Sequence, residues 1–435
     1  MSAPVRPLRV AITTLGCKVN QYDAAAIETR LRADGCTVVP FAPGADVYIV
    51  NSCTVTDRAD AESRQLARRA RRFNPAARVI MTGCFAQVSP QRAAIAEVDY
   101  VVGLNRLPDL LRATRGSIAL PRIQVDDLRR ARRVRTIGAD SFTGQTRAFL
   151  KVQEGCDLFC TFCIVPFARG RSRSVPPRQI LEQVAALADR GYHEVVLTGV
   201  HLGGYGADLQ PRLELADLVE ILAERALLPR LRLSSIDPPE VTARLLDLMR
   251  AAPALCPHLH VPMQAGDDGV LRRMRRQYDA GQLRAIVARV RAELPDAAIG
   301  TDVIAGFPGE TEAEFRATFD IIETLPITYA HVFPYSRRRG TTAAKLEGHL
   351  APPLIAERAR CLRRLGEAKR AAFARQFIGR RLQVLTEGNT GSAAVGYSRN
   401  YQRVTFSAPE VPVNREVEVQ IVGADGSTLL GVQVH

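Results

Sequence analysis

Ala148-Phe-Leu-Lys-Val-Gln-Glu-Gly-Cys156-Asp-Leu-Phe-Cys160-Thr-Phe-Cys163 sets an apolar, strand-like run directly before three cysteines spaced C-x3-C-x2-C. With nine cysteines in 435 residues, the chance expectation for such a triplet is on the order of 0.004. A zinc site would want a fourth Cys or His in the loop, and none is there. Three thiolates on a cubane iron–sulfur cluster leave one iron without a protein ligand, and that position can take a substrate. The run is also the first of six strand-like segments: Ala148–Gln153, His193–Thr198, Arg230–Ser235, His258–Met263, Ile299–Ala305 and Thr328–Pro334. Helical patterns such as Pro177–Asp189 and Glu310–Leu325 lie between them. Six β/α units in series predict a partial barrel, short of the eight that close one. The cysteine loop follows the first strand, at the end where barrel enzymes keep their chemistry.

Upstream, strand-like runs Arg9–Thr14, Val47–Ser52, Arg78–Gly83 and Tyr100–Gly103 alternate with helical patterns Gln21–Asp34 and Asp57–Phe73. That alternation predicts an open parallel α/β sheet. Cys17, Cys53 and Cys84 each follow one of these strands, where open α/β sheets place ligand sites. A lone cysteine is usually a packing residue. Three in the same topological position predict a second cluster, whereas Cys36, Cys256 and Cys361 fall outside either pattern and read as packing residues. Leu128–Arg135 is an arginine-rich linker or exposed edge, and Pro353–Phe377 is a long helical pattern. Beyond it, Val417, Val419 and Ile421 alternate with Glu416, Glu418 and Gln420, the period of a half-buried strand. A small OB-like β-barrel is expected there. The fold class is therefore α/β throughout the first two of three domains, at 1–138, 139–375 and 376–435.

Apolar residues make up 46% and charged residues 24%, the composition of a globular protein. No run approaches the ~18 apolar residues of a membrane span. The N-terminus enters a strand with no signal-peptide core, so a cytoplasmic location without membrane attachment is expected. Thiols stay reduced there, which argues against a disulfide framework. The net charge of +14 and the pI near 9.8 favour a polyanionic partner, nucleic acid first.

The loop after the first barrel strand resembles the radical S-adenosylmethionine superfamily. Its extension, Glu154-Gly-Cys156 through Cys163-Ile-Val-Pro-Phe-Ala-Arg169-Gly, is similar to the methylthiotransferases. So are Thr14-Leu-Gly-Cys17-Lys-Val-Asn-Gln-Tyr22-Asp, Asn51-Ser-Cys53-Thr and Thr82-Gly-Cys84. The resemblance covers nearly the whole chain in domain order. It implies two 4Fe-4S clusters, one on Cys156, Cys160 and Cys163 and one on Cys17, Cys53 and Cys84. S-adenosylmethionine on the open iron of the first would be cleaved to a 5′-deoxyadenosyl radical. A second molecule would methylate a sulfide held at the other cluster. Such chemistry implies a low-potential electron donor of flavodoxin or ferredoxin type, a sulfur source, tRNA as substrate and a TRAM-like C-terminal β-domain. The phrase Thr-Leu-Gly-Cys-Lys-Val-Asn-Gln-Tyr resembles the branch acting on N6-threonylcarbamoyladenosine beside the anticodon.

By the same resemblance, cofactor contacts fall to Phe162 in the loop, Gly199 in Thr198-Gly-Val200-His, Ser234 and Ser235, and Gly306. The sequence lacks the Gly-Gly-Glu form of the amine-binding motif. For RNA, the helical pattern Glu62–Phe73 offers Arg64, Arg68 and Arg69. Tyr397, Arg399, Tyr401 and Arg403 share one parity and would line one strand face, suited to base stacking and phosphate contact. Three alternatives remain at this level. They are the same reaction on isopentenyladenosine, the same reaction on a ribosomal protein side chain, and a non-catalytic iron–sulfur RNA-binding protein.

Overall fold

The computed structural model describes residues 6–116, 120–134, 138–142, 144–391, 393–407 and 411–434. Arg135, the last residue of the arginine-rich stretch, lies outside the described residues. Packing divides the chain into two compact units. The first takes residues 1–143, 149–175 and 336–341; the second takes 144–148, 176–335 and 342–435. The division differs from three consecutive domains because the chain crosses between units repeatedly.

In the first unit, β1 (Arg9–Thr14), β2 (Thr37–Val39), β3 (Val47–Ser52), β4 (Arg78–Thr82), β5 (Tyr100–Val102) and β6 (Ile123–Gln124) form one sheet. Its order is β2-β1-β3-β4-β5-β6, and every pair is parallel. Both faces are covered. Tyr48, Val50, Val79 and Met81 pack with Ala67, Ala70 and Phe85, while Val47, Ile49 and Ile80 pack with Ile27, Leu31 and Leu110. Burial on both faces is why β3 reads as a continuous apolar run rather than an alternating one. The helix Asp57–Phe73 starts where Thr56 Oγ1 accepts the Ala59 N–H, with Asp57 and Asp60 in its first turn.

The barrel series begins with β7 (Arg147–Lys151). The run expected at Ala148–Gln153 is not one strand. It breaks at Val152, because β8 (Gln153–Glu154) turns away to pair antiparallel with β9 (Arg173–Ser174) in the first unit. The remaining barrel strands are β10 (Glu194–Thr198), β11 (Arg230–Leu233), β12 (His258–His260), β13 (Ala298–Ala305) and β14 (Tyr329–Pro334). They form two three-stranded sheets, β11-β10-β7 and β12-β13-β14. Parallel bridges Leu231–Leu255 and Ser235–His260 carry the series across the gap. The result is the open six-strand barrel the sequence predicts.

β15 (Arg381–Thr390), β16 (Ala393–Ser398), β17 (Arg403–Ser407), β18 (Glu416–Asp425) and β19 (Thr428–Gln433) close into a five-stranded barrel. Its core, with Val384, Phe406, Val419 and Ile421, continues into Phe373 and Phe377 at the end of the long helix and into Ala298 of β13. That shared core places the small barrel in the second unit.

The common strand face expected for Tyr397, Arg399, Tyr401 and Arg403 is not formed. β16 ends at Ser398 and β17 begins at Arg403, with a turn between. Ser398 N–H donates to Gln402 O at 2.9 Å, Gln402 N–H donates to Ser398 Oγ at 2.9 Å, and Tyr401 takes φ 65°. The turn is used internally. Tyr401 packs 4.8 Å from the His258 ring and 5.1 Å from the Tyr397 ring, with the Arg232 and Arg147 guanidinium carbons 5.1 and 5.4 Å from its centroid. Arg232 Nη1 donates to Arg399 O at 2.8 Å, and Arg230 Nη2 donates to the Tyr397 and Ser398 carbonyls at 3.2 Å. Glu194 lies fully buried between Arg230 and Arg232. Burial would raise its carboxyl, but the two guanidinium groups outweigh it and hold it at about 2. Tyr397, Arg399 and Tyr401 thus fasten the small barrel to the strands, and Arg403 alone of the four is exposed. Tyr401→Ala is expected to cost about 2–3 kcal/mol of stability, the loss of a packed aromatic with stacked partners. Denaturant unfolding of the full chain measures it, and an unchanged midpoint would release these rings for a role outside packing.

Candidate metal centre

All six cysteines of the two sets lie in the first unit. Cys17 caps the helix Lys18–Ala33 just past β1 and is exposed. Cys53 follows β3 and Cys84 sits in the short helix Gly83–Val88 after β4; both are buried. Asn20 Oδ1, from the helix that Cys17 opens, lies 3.7 Å from Cys84 Sγ, and a Cβ on Gly16 would lie 3.0 Å from Cys53 Sγ. The turn into the short helix needs glycine: Gly83 has φ 91°, and a Cβ there would lie 2.4 Å from the Ser52 carbonyl oxygen. Three loops from three adjacent parallel strands therefore converge at the carboxyl edge of the sheet, where such sheets bind ligands.

Cys156, Cys160 and Cys163 lie on the loop between β8 and the helix Val165–Arg169. The loop is tied at its base by Cys156 N–H donating to Gly170 O at 3.1 Å and turned tightly by Cys163 N–H donating to Cys160 O at 3.0 Å. Phe159, 42% exposed, packs edge-on against exposed Phe167 at 6.2 Å. No disulfide joins any of the nine cysteines.

Arg169 ends this loop and is 1% exposed. Its Nε donates to Cys84 Sγ at 3.3 Å, its Nη2 to Asn20 Oδ1, and its Nη1 to Asp23 Oδ2 at 2.6 Å and to Glu154 Oε1. Lys151 Nζ donates to the same two carboxylates, at 2.6 and 3.1 Å. Burial would raise Glu154; Lys151, Arg169 and Arg173 outweigh it and hold it at about 2. Two buried cations thus face one buried carboxylate, Glu154, and one half-buried carboxylate, Asp23. Burial pushes the Cys84 thiol up to about 12, with Arg169 pulling against it. A metal that displaces the Cys84 proton puts a thiolate in its place, and the guanidinium beside the sulfur is placed to meet that charge. The donor set fits a thiolate-bound cluster: sulfur ligands only, on a strand edge, with a fixed N–H donor to one sulfur.

The expected cofactor contacts are shared between the two units. Phe162 is half-buried in the cysteine loop of the first unit. Gly199, Ser234 with Ser235, and Gly306 belong to the second, at the carboxyl ends of β10, β11 and β13. Ser234 is buried and Ser235 exposed. The Gly306 N–H is taken by Glu310 Oε2 at 2.9 Å. Of the helix arginines, Arg64 and Arg69 lie over the Phe85 and Phe73 rings at 5.5 and 5.1 Å, and Arg68 is 3.7 Å from Glu97. Arg68 and Arg69 are exposed. Asn20, Asp23 and Lys151 escaped the sequence reading, although Asn20 and Asp23 stand within the Cys17 phrase.

Residues 150–322 match the Radical SAM superfamily and residues 9–103 the uncharacterized protein family UPF0004. A Bacillus subtilis protein, threonylcarbamoyladenosine tRNA methylthiotransferase MtaB, is 39% identical over 95% of this chain and 94% of its own. The chain belongs to the radical S-adenosylmethionine methylthiotransferase family. A relative from Methylobacillus flagellatus, named tRNA-2-methylthio-N(6)-dimethylallyladenosine synthase, is 34% identical over 98% of this chain and 99% of its own. Among solved structures, the radical S-adenosylmethionine methyltransferase TsrM from Kitasatospora setae shares the fold, with TM-score 0.55 and 17% identity over 75% of this chain and 74% of that one. As a radical SAM methylthiotransferase, the protein uses S-adenosylmethionine and two 4Fe-4S clusters. Among the described residues no helix is long and apolar enough to cross a membrane.

Proposed function

We propose that this enzyme converts N6-threonylcarbamoyladenosine next to the anticodon of tRNA to its 2-methylthio derivative, in the cytoplasm. Full-length likeness to the Bacillus subtilis relative named for that nucleoside, 39% identical against 34% for the Methylobacillus flagellatus relative named for dimethylallyladenosine, carries the reading. Cys156, Cys160 and Cys163 hold the cluster that cleaves S-adenosylmethionine, and Cys17, Cys53 and Cys84 hold the second. Bound there, the cofactor supplies a radical able to activate the adenine C2–H bond, which has no leaving group for a polar route. Around the second cluster, Arg169 and Asn20 fix the cysteine loops, and Asp23 and Glu154 balance the charges of Lys151 and Arg169. A low-potential donor of flavodoxin or ferredoxin type and a sulfur source complete the cycle.

Nucleoside mass spectrometry of tRNA from cells with and without the gene tests the substrate. Loss of 2-methylthio-N6-threonylcarbamoyladenosine, with its unmethylthiolated precursor accumulating, is the expected result. Loss of the isopentenyl derivative instead would transfer the enzyme to the other branch.

A further inference from the structure

Apart from the cysteine site, one cluster of chemically active side chains stands out in the second unit. Register pairs His260 with Gly300, and Asp302 with His331. Period two then puts His258 and His260 of β12, Asp302 of β13, and Tyr329, His331 and Phe333 of β14 on one face. The opposite face carries Leu259, Ile299, Val303 and Val332, all buried. Gly300 makes room for the Tyr329 ring, since a Cβ there would lie 2.2 Å from it.

On this face Tyr329 Oη is 2.8 Å from His258 Nε2 and 3.3 Å from His260 Nδ1. His260 Nε2 reaches Asp302 Oδ1 at 2.9 Å, and His331 Nδ1 lies 3.4 Å from the same oxygen. The chain of polar groups runs outward: Tyr329 is 6% exposed, the Asp302 side chain 23% and the His331 side chain 57%, and Phe333 42%. Burial would raise the Asp302 carboxyl, but the two imidazoles outweigh it and hold it well below the usual carboxylate range. The face therefore opens toward the carboxyl ends of the strands and presents an ionised acceptor beside an imidazole donor.

We propose that Asp302 and His331 read the threonylcarbamoyl group of the substrate, Asp302 accepting from its hydroxyl or ureido N–H and His331 donating to its carboxylate. The inference rests on the substrate reading above and deepens it. A prenyl group laid on this face would offer no hydrogen bond to the remaining acceptor capacity of Asp302 or to His331, and a site built to hydrogen-bond a substrate strongly rejects the analogue that lacks the partner. The barrel's strand ends are also where this fold class keeps its reacting groups.

The test compares the reconstituted enzyme with His331→Ala, His331→Gln and Asp302→Asn on three tRNAs, carrying threonylcarbamoyladenosine, isopentenyladenosine or plain adenosine at the same position. Tenfold or greater preference of the wild type for the first over the third, in kcat/KM and in binding, should collapse toward one in His331→Ala and Asp302→Asn. His331→Gln, which keeps a donor, should recover part of it. An unchanged preference in both variants would overturn the inference while leaving the substrate reading intact. A wild type that prefers the isopentenyl tRNA would overturn both. A stoichiometric zinc lost in His331→Ala would overturn the inference in favour of a metal site on the same three residues.

Discussion

Replacing Cys156, Cys160 and Cys163 together by alanine is expected to abolish 5′-deoxyadenosine formation while one cluster stays on the protein. The three residues occupy a single loop between β8 and the helix Val165–Arg169, whereas Cys17, Cys53 and Cys84 hang from three separate strands of the sheet. Neither set uses the other's backbone. The converse substitution, Cys17→Ala, should block methylthiolation and leave some cofactor cleavage in place. Iron and sulfide analysis after anaerobic reconstitution, with 5′-deoxyadenosine measured alongside, distinguishes the outcomes. Complete loss of iron from the first variant would remove the two-site assignment. Loss of 5′-deoxyadenosine in both would remove the division of labour.

Arg169→Gln should come next in severity. The guanidinium satisfies Asp23, Glu154, Asn20 and Cys84 at once from a position closed to solvent. Without it Lys151 alone faces buried Glu154 and half-buried Asp23, and breaking a buried ion pair from one side costs about 3–5 kcal/mol. The unfolding midpoint should drop sharply, and the reconstituted protein should hold less iron. Arg169→Lys keeps the charge but not the planar fork. It should therefore rescue folding better than it rescues the cluster. Because N–H donors to sulfur tune cluster potentials, a shifted midpoint potential in Arg169→Lys is the sign that the contact to Cys84 matters electronically. Wild-type iron content and stability in Arg169→Gln would show that Lys151 suffices.

Much of this architecture is legible in the chain because parallel strands buried on both faces leave continuous apolar runs. β1 and β3 match their runs residue for residue, while β2 and β6, three and two residues long, are too short to leave one. The cluster cysteines are legible for a different reason, since each ends a recognisable run. Arg169 is visible as part of a motif, but its role depends on Asn20 and Cys84, which only the fold brings to it. The Tyr397–Arg403 stretch misleads through its own regularity. Parity arguments assume an unbroken strand, and Ser398 and Asn400, residues that favour turns, break it. The His260, Asp302 and His331 set could not be seen, because each residue comes from a different strand.

Arg338 carries a lesson about timing. Its Nη2 donates to Asp60 Oδ2 at 2.9 Å and to Thr54 Oγ1 at 2.7 Å, while Nη1 reaches Asp57. Asp60 is wholly buried, and its other cation, Arg92, stands 3.5 Å away. The helix carrying Asp60 emerges early from the ribosome with Arg92 soon after it, and the second cation that faces Asp60 emerges some 278 positions later. The barrel strands from β10 to β14 are synthesised in that interval. The contacts that close on Asp60 are therefore complete only once most of the chain exists.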